Sequence, residues 1–258
     1  MNANDLIQLN EKRQMSGGST FKPEKDTTNL ILLPSKNEND LPYLRASMAQ
    51  IGGALFEFSF YKTHKEERRD PDNWYQTLIG TLFDDHPNEY REVSLKDRYV
   101  FQVVELGDDG KPVFDKTNET YVKTWKPSPG LGKVVEREIQ KLATKGVFPF
   151  GLKGPVFTIV KDKNQSTGYP DYAKSVFGEE ADITDIKVEV ENNITDIKSL
   201  LRPNTRAETE FALRSYLEPK GINLVYRTIA TGKDLAENVV NEEELDEYEQ
   251  NLLSQVAE

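Results

Sequence analysis

Alternating apolar and polar positions recur along the chain and predict short β-strands. The segment 54–62 reads ALFEFSFYK, so Phe56, Phe58 and Phe60 fall on one face of an extended strand, because successive side chains point to opposite faces. Residues 29–33 are almost continuously apolar and stop at a proline, as expected for a buried strand. Related patterns predict further strands at 99–105, 112–114, 121–126, 155–161 and 223–229.

Helical patterns are fewer than strand patterns. Apolar residues at helical spacing predict a helix over 132–145. Thr205 and Glu208 form a capping-box pair at the start of a second predicted helix, which ends before Pro219. The acidic and polar segment 179–196 is predicted to run over the surface. Many short strands with two or three helices indicate a β-rich α+β domain, a small barrel with helical insertions.

Charge and flexible composition divide the chain into three parts. The SGGST sequence at 16–20 is typical of a flexible connector, so residues 1–20 are predicted to form an N-terminal arm. Residues 233–258 contain nine acidic residues and one lysine, a net charge of −8 in a chain of −11. A terminal block of like charge resists packing and usually serves as an interaction tail. The predicted core is therefore 21–232.

The body of the chain also contains a basic region. Between Lys123 and Lys163 there are nine Lys or Arg residues and three acidic residues, a net charge of +6. Such a local excess of positive charge favours a polyanion as partner even though the whole chain is acidic. The distribution of charge along the chain is therefore more informative about a binding partner than the net charge of the chain.

Composition argues against several classes of site. The absence of cysteine excludes disulfides and thiolate metal sites, and with only His64 and His86 we expect no metal site and no cofactor. No phosphate-binding loop, nucleophile elbow or zinc-protease motif is present, which favours a protein that is not an enzyme. No apolar run approaches a membrane span, so no membrane partner is expected and the cytoplasm is the predicted location.

Aromatic and basic residues are interleaved along the predicted strands, a combination that suits single-stranded nucleic acid. Bases stack on flat rings, and lysine or arginine follows the phosphates. The alternative is that the rings belong to the core and the adjacent charges are solvated. The predicted nucleic-acid-binding surface consists of Tyr61, Lys62, Arg68, Arg69, Trp74, Tyr75, Arg98, Tyr99, Lys123, Trp125, Lys126, Lys161, Lys163 and Tyr169.

Two segments resemble a known family. LLPSKNE at 32–38, followed by Pro42, and GPVFTIVK at 154–161, followed by GYPDY at 168–172, are similar to core segments of the single-stranded DNA-binding, helix-destabilising proteins of T-even phages. The order of arm, β-rich core and acidic tail is also similar. The resemblance implies an OB-fold core that grips single-stranded DNA and an arm that mediates self-association along DNA. It also implies a tail that contacts phage replication, recombination and repair proteins in the host cytoplasm.

The chain departs from this family at the metal site. T-even members carry a zinc-binding insertion with one His and three Cys, whereas here residues 63–75 occupy that place without cysteine, so zinc is not carried over. Two alternatives to a DNA-binding protein remain open. One is a protein-interaction factor that acts through the acidic tail. The other is a Mg²⁺-dependent nucleic-acid enzyme that uses carboxylates such as Asp84 and Asp85.

Overall fold

The computed structural model describes residues 19–37, 39–58, 62–70, 72–163 and 170–224. The protein is mixed α+β, with helices and a β-sheet core that is strongly curled into a half-barrel, so the predicted class is confirmed at this level. The chain divides into two compact units. The described part of unit 1 comes from residues 46–97 and 202–224, and that of unit 2 from residues 19–45 and 98–201. Most of the predicted arm and all of the predicted tail lie outside the described residues.

Five strands in the described part of the chain are short, and the other five have seven or more residues. In chain order they are β1 Thr20–Phe21, β2 Thr27–Leu33, β3 Leu44–Ile51, β4 Ala54–Glu57, β5 Lys96–Leu106, β6 Val122–Trp125, β7 Lys153–Val160, β8 Asp162–Lys163, β9 Pro170–Asp171 and β10 Val176–Asp182.

The helices are also short, except for the two that begin at Pro129 and Arg206. They are α1 His64–Arg69, α2 Trp74–Ile79, α3 Leu82–Asp85, α4 Pro87–Val93, α5 Pro129–Ala143, α6 Lys187–Asn193 and α7 Arg206–Leu217. Among the described residues, no helix is long and apolar enough to cross a membrane.

Unit 2 is built on a sheet with the strand order β1-β6-β5-β2-β7-β10. The pair β1–β6 is parallel and the other neighbours along this path are antiparallel. Alternation along β2 sends Leu30 and Leu32 into one hydrophobic cluster and Ile31 and Leu33 into another. Both faces of the sheet are therefore covered, which explains why the sequence of β2 is apolar at consecutive positions rather than at every second one.

Helix α5 covers the first of these faces. Ser128 caps the helix by accepting a hydrogen bond from the backbone N–H of Leu131, so the helix begins three residues earlier than predicted. Gly132 allows α5 to approach the sheet, because a Cβ atom at this position would lie 2.2 Å from the ring of Tyr99. The apolar face of α5 packs there through Leu131, Val135 and Ile139.

The opposite face of the sheet is covered by the segment that follows β10. Ile183, Ile186, Val190 and Ile194 are buried there, so the prediction that 179–196 runs over the surface is wrong. These apolar residues recur at spacings of three and four among acidic ones, which is the pattern of an amphipathic helix. The high charge of the segment hid this periodicity.

Unit 1 has its own hydrophobic core under the β3–β4 hairpin. Phe56, Phe58 and Tyr75 are buried there with residues of α7. Of the strand predicted over 54–62, β4 covers Ala54–Glu57, and residues 59–61 lie outside the described residues. Glu57 accepts a 2.7 Å hydrogen bond from the backbone N–H of Arg202, which fixes the segment before α7 against β4.

The capping box that begins α7 confirms the sequence prediction. The Thr205 side chain accepts from the N–H of Glu208, and the Glu208 carboxylate accepts from the N–H of Thr205. The same device begins α1, where Thr63 and Glu66 are the reciprocal pair.

Candidate nucleic-acid interface

The residues predicted to bind DNA are divided between the two units. Tyr61 and Tyr169 lie outside the described residues. Unit 1 contains Lys62, Arg68, Arg69, Trp74 and Tyr75. Unit 2 contains Arg98, Tyr99, Lys123, Trp125, Lys126, Lys161 and Lys163.

Three of the predicted stacking rings belong to the core. Trp125 is 1% exposed, and Tyr75 and Tyr99 are fully buried, so the prediction that these rings stack on bases is wrong for the protein as it is folded. Trp125 does share the sheet face with Lys123, as alternation requires, but helix α5 covers that face. The Tyr75 hydroxyl donates a 2.6 Å hydrogen bond to the carbonyl of Val93 inside unit 1.

Several predicted cations are engaged with carboxylates or are partly withdrawn from solvent. The Lys123 side chain is 11% exposed and its Nζ lies 2.6 Å from a carboxylate oxygen of Glu105. Lys62 pairs with Asp70 at 2.7 Å, and this hydrogen bond raises the pKa of Lys62. Burial lowers the pKa of Arg98. These three cations therefore offer a ligand less positive charge than the sequence suggests, and of the three Lys123 belongs to the basic window.

The other predicted cations of unit 2 lie closer to solvent. Lys163 is exposed on β8, and Lys126 and Lys161 are partly exposed at the ends of β6 and β7. These three lysines can approach a phosphate without leaving a buried site.

In unit 1, guanidinium groups lie over aromatic rings. The Arg68 guanidinium lies 5.6 Å from the centre of the Tyr90 ring, and that of Arg206 lies 5.3 Å from the centre of the Trp74 ring. Arg206 is itself held by Glu210 at 2.5 Å. A base can stack on the covered face of Trp74 only after displacing this arginine.

In unit 2, aromatic rings contact one another in a continuous series from the core to the surface, which we call the aromatic ladder. Its outermost ring, Phe148, is 65% exposed and lies 5.1 Å from Phe150, centre to centre. The series continues from Phe150 to Tyr43 at 6.3 Å and from Tyr43 to Phe101 at 5.3 Å, both stacked. It ends in the core, with Phe101 5.4 Å from Trp125.

The end of helix α5 places the outer ring of the ladder in solvent. Gly146 has a positive φ of 72°, which a residue with a side chain rarely adopts, and the chain reverses there. The N–H of Val147 then donates back to the carbonyl of Leu142 at 3.0 Å. Val147 and Phe148 are consequently exposed as two adjacent apolar side chains.

A polar cluster lies beside the ladder around Glu136 of α5. One carboxylate oxygen of Glu136 accepts a 2.8 Å hydrogen bond from the Tyr99 hydroxyl. The other lies 3.4 Å from the Tyr43 hydroxyl and 3.6 Å from Nη1 of Arg45. Burial, followed by the negative charge of Glu136, raises the pKa of Tyr43, so its hydroxyl stays protonated and available as a donor.

We define the Tyr43 site as Tyr43, Arg45, Glu136, Phe148 and Phe150. It offers an exposed ring for stacking, an arginine side chain that is 36% exposed, and the hydroxyl of Tyr43 at its inner edge, next to that of the buried Tyr99. These are the groups that single-stranded nucleic acid requires. Of the predicted residues that the structure describes, Tyr99 joins this site as the buried partner of Glu136.

Sequence reasoning missed Tyr43, Arg45, Phe148 and Phe150. Phe148 and Phe150 fall inside the basic window, in a GVFPFG segment directly after a predicted helix stop, and that position was a usable signal. Tyr43 and Arg45 gave no comparable signal, because strand β3 was not predicted.

The carboxylates predicted as possible Mg²⁺ ligands lie on the surface of unit 1. Asp84 and Asp85 are exposed at the end of α3, next to the partly exposed His86. Among the described residues, no group of three or more His, Cys, Asp or Glu side chains is arranged to hold a metal ion.

Comparison with known proteins does not assign a family. No family model matches the chain, and no curated protein matches it.

Proposed function

We propose that this protein binds single-stranded DNA, as the phage helix-destabilising proteins that its sequence resembles do. The observation that carries the proposal is the aromatic ladder, which runs from the core of unit 2 through Tyr43, a neighbour of Glu136 and its partner Arg45, to the exposed ring of Phe148. Stacking on such a ring needs no particular base, so we expect little sequence preference. The curled half-barrel sheet supports an OB-fold-like core.

The proposed cellular role extends from this site. The protein coats and protects single strands during replication, recombination and repair in the host cytoplasm. The acidic segment 233–258 recruits phage replication proteins, and the N-terminal arm mediates self-association along DNA. The protein is not an enzyme in this proposal.

Titration with a fluorescent oligo-dT at several salt concentrations tests the proposal. If about four to six phosphates are contacted, log K falls with log[salt] at a slope of roughly −3 to −4. The variant Phe148→Ala weakens binding by about 1–3 kcal/mol if the ring stacks on a base. Because Phe148 is largely exposed, its removal leaves the thermal midpoint nearly unchanged.

Phe114→Ala is the matched control. Phe114 is another partly exposed phenylalanine of unit 2, and its ring contacts Tyr121 rather than the ladder. Absence of binding at low salt contradicts the proposal and leaves the protein-interaction alternative. Equal losses in the two variants would remove the ladder from the interface.

A further inference from the structure

The donors around Glu136 differ in how tightly they hold its two oxygens. Tyr99 is buried and donates at 2.8 Å, an ordinary distance for a charge-assisted hydrogen bond. Tyr43 and Arg45 approach the other oxygen at 3.4 and 3.6 Å, beyond the usual range for a strong hydrogen bond. The inner contact is therefore firm, and the outer contacts are easily exchanged.

The outer donors have the chemistry of a phosphate site. A guanidinium group and a hydroxyl are donors that bind phosphate oxygens, and the planar arginine suits them especially well. Arg45 also lies 5.7 Å from the centre of the Tyr99 ring, which limits the directions that its guanidinium can take. Glu136 is 19% exposed, so solvent and a ligand can reach the edge of this cluster.

The position of Glu136 sets up a competition for Arg45. A carboxylate this close to a guanidinium group offsets much of its positive charge and repels an incoming phosphate. A nucleic acid that follows the ladder inward from Phe148 to Tyr43 brings its backbone near Arg45, because Tyr43 is both a ring of the ladder and a neighbour of Glu136.

We propose that Glu136 is a built-in anion that keeps Arg45 and the Tyr43 hydroxyl from a phosphate of the bound strand, and thereby limits the affinity of the Tyr43 site. This inference rests on the proposed function, since it concerns the same site. Glu136 also anchors Tyr99, and so the residue serves the fold through one oxygen and regulates binding through the other.

The test is Glu136→Gln in the full chain, titrated with the same oligo-dT. The amide oxygen still accepts from Tyr99, while the negative charge is gone. We expect binding roughly two- to five-fold tighter, the effect of removing a partly exposed like charge. The salt slope should become steeper by about 0.7 if Arg45 gains a phosphate contact.

Two controls separate this effect from a general change in charge. Glu189→Gln removes the same charge from an exposed position on α6 in unit 2 and should leave affinity near that of the wild type. Arg45→Met should cost more affinity in the Glu136→Gln background than in the wild type, because the Glu136 carboxylate no longer competes with the phosphate for Arg45 there.

The outcomes distinguish this inference from the proposed function. A wild-type protein that does not bind the oligonucleotide overturns both. A wild-type protein that binds, with equal affinities and slopes for Glu136→Gln and Glu189→Gln, overturns only the role of Glu136. Thermal midpoints are measured for every variant, and a lower midpoint with unchanged affinity per folded molecule also overturns it.

Discussion

The two units treat their partly exposed aromatic rings differently. In unit 1, Arg68 and Arg206 lie over Tyr90 and Trp74, so cations occupy ring faces that a base would need. In unit 2, the rings of the ladder contact each other, and the outermost, Phe148, is open to solvent. Aromatic and basic residues that are interleaved in the sequence therefore have two structural outcomes: a ring covered by a cation, as at Tyr90 and Trp74, or an exposed ring that packs on another ring, as at Phe148. Phe83 of unit 1, which is 60% exposed and lies 5.2 Å from Tyr90, belongs with the second.

The difference has a physical basis. A cation over a ring contributes about 0.5–1 kcal/mol at an exposed site, and a base that replaces it must first overcome this contribution. Rings that stack on each other keep the outer face of the last ring available. We therefore expect the ladder of unit 2 to stack on bases more readily than Tyr90 and Trp74 of unit 1.

The largest expected effect is a loss of folding stability when the buried end of the ladder is removed. Trp125→Ala should lower the free energy of unfolding by about 3–5 kcal/mol, the usual cost of removing a large buried aromatic side chain. Its affinity per folded molecule should change little. Urea unfolding and oligonucleotide titration of the same preparation measure the two quantities, and a large loss of affinity with normal stability would place Trp125 in the interface.

The next largest effect is expected at Gly132, where α5 packs closely on the sheet. Gly132→Ala should destabilise the protein by about 1–3 kcal/mol, because the new methyl group would overlap the Tyr99 ring. Gly130→Ala is the matched control on the same helix, since a Cβ atom there meets nothing within 4 Å. Equal unfolding midpoints for the two variants would mean that α5 does not depend on this close approach.

A smaller effect, on oligonucleotide affinity, is expected from a substitution in unit 1. Trp74→Ala should weaken oligonucleotide binding by less than about 1 kcal/mol per folded molecule, because Arg206 already covers the ring. Phe148→Ala should cost more. If Trp74→Ala proves the more damaging of the two, the contrast between the units is reversed and unit 1 carries the stacking.

The smallest expected effect is on the pH dependence of folding stability. It arises from Asp115, whose carboxylate accepts a hydrogen bond from Ser19 in unit 2. Hydrogen bonds from Ser19 and Asn118 lower the pKa of Asp115 to about 2. A lowered pKa gives stability that is present above the unfolded value of about 3.9 and is lost as pH falls through about 2. The destabilisation by Asp115→Ala should therefore be larger at pH 5 than near pH 2, and modest because the group is exposed. A pH-independent difference in unfolding midpoints would contradict this linkage.

How far the sequence could predict the site is clear from particular residues. Lys145 and Gly146 marked the end of a helix, and the structure has the chain reverse there. The sequence offered no reason to join Tyr43 to Phe150, because more than a hundred positions separate them and strand β3 had a weak pattern. Ring stacking between such positions depends on which strands become neighbours.

The sequence alone determined the local elements with strong signals. Consecutive apolar residues defined β2, and the reciprocal Thr205–Glu208 pair began α7, because hydrophobic periodicity and capping act within a few residues. Only the tertiary structure decided which aromatic rings are covered. Trp125 is buried because α5 packs on its face of the sheet, and Phe148 is exposed because the chain turns after that helix. Whether a residue is buried depends on which elements pack against it in the folded protein. Its neighbours in the sequence do not specify those elements.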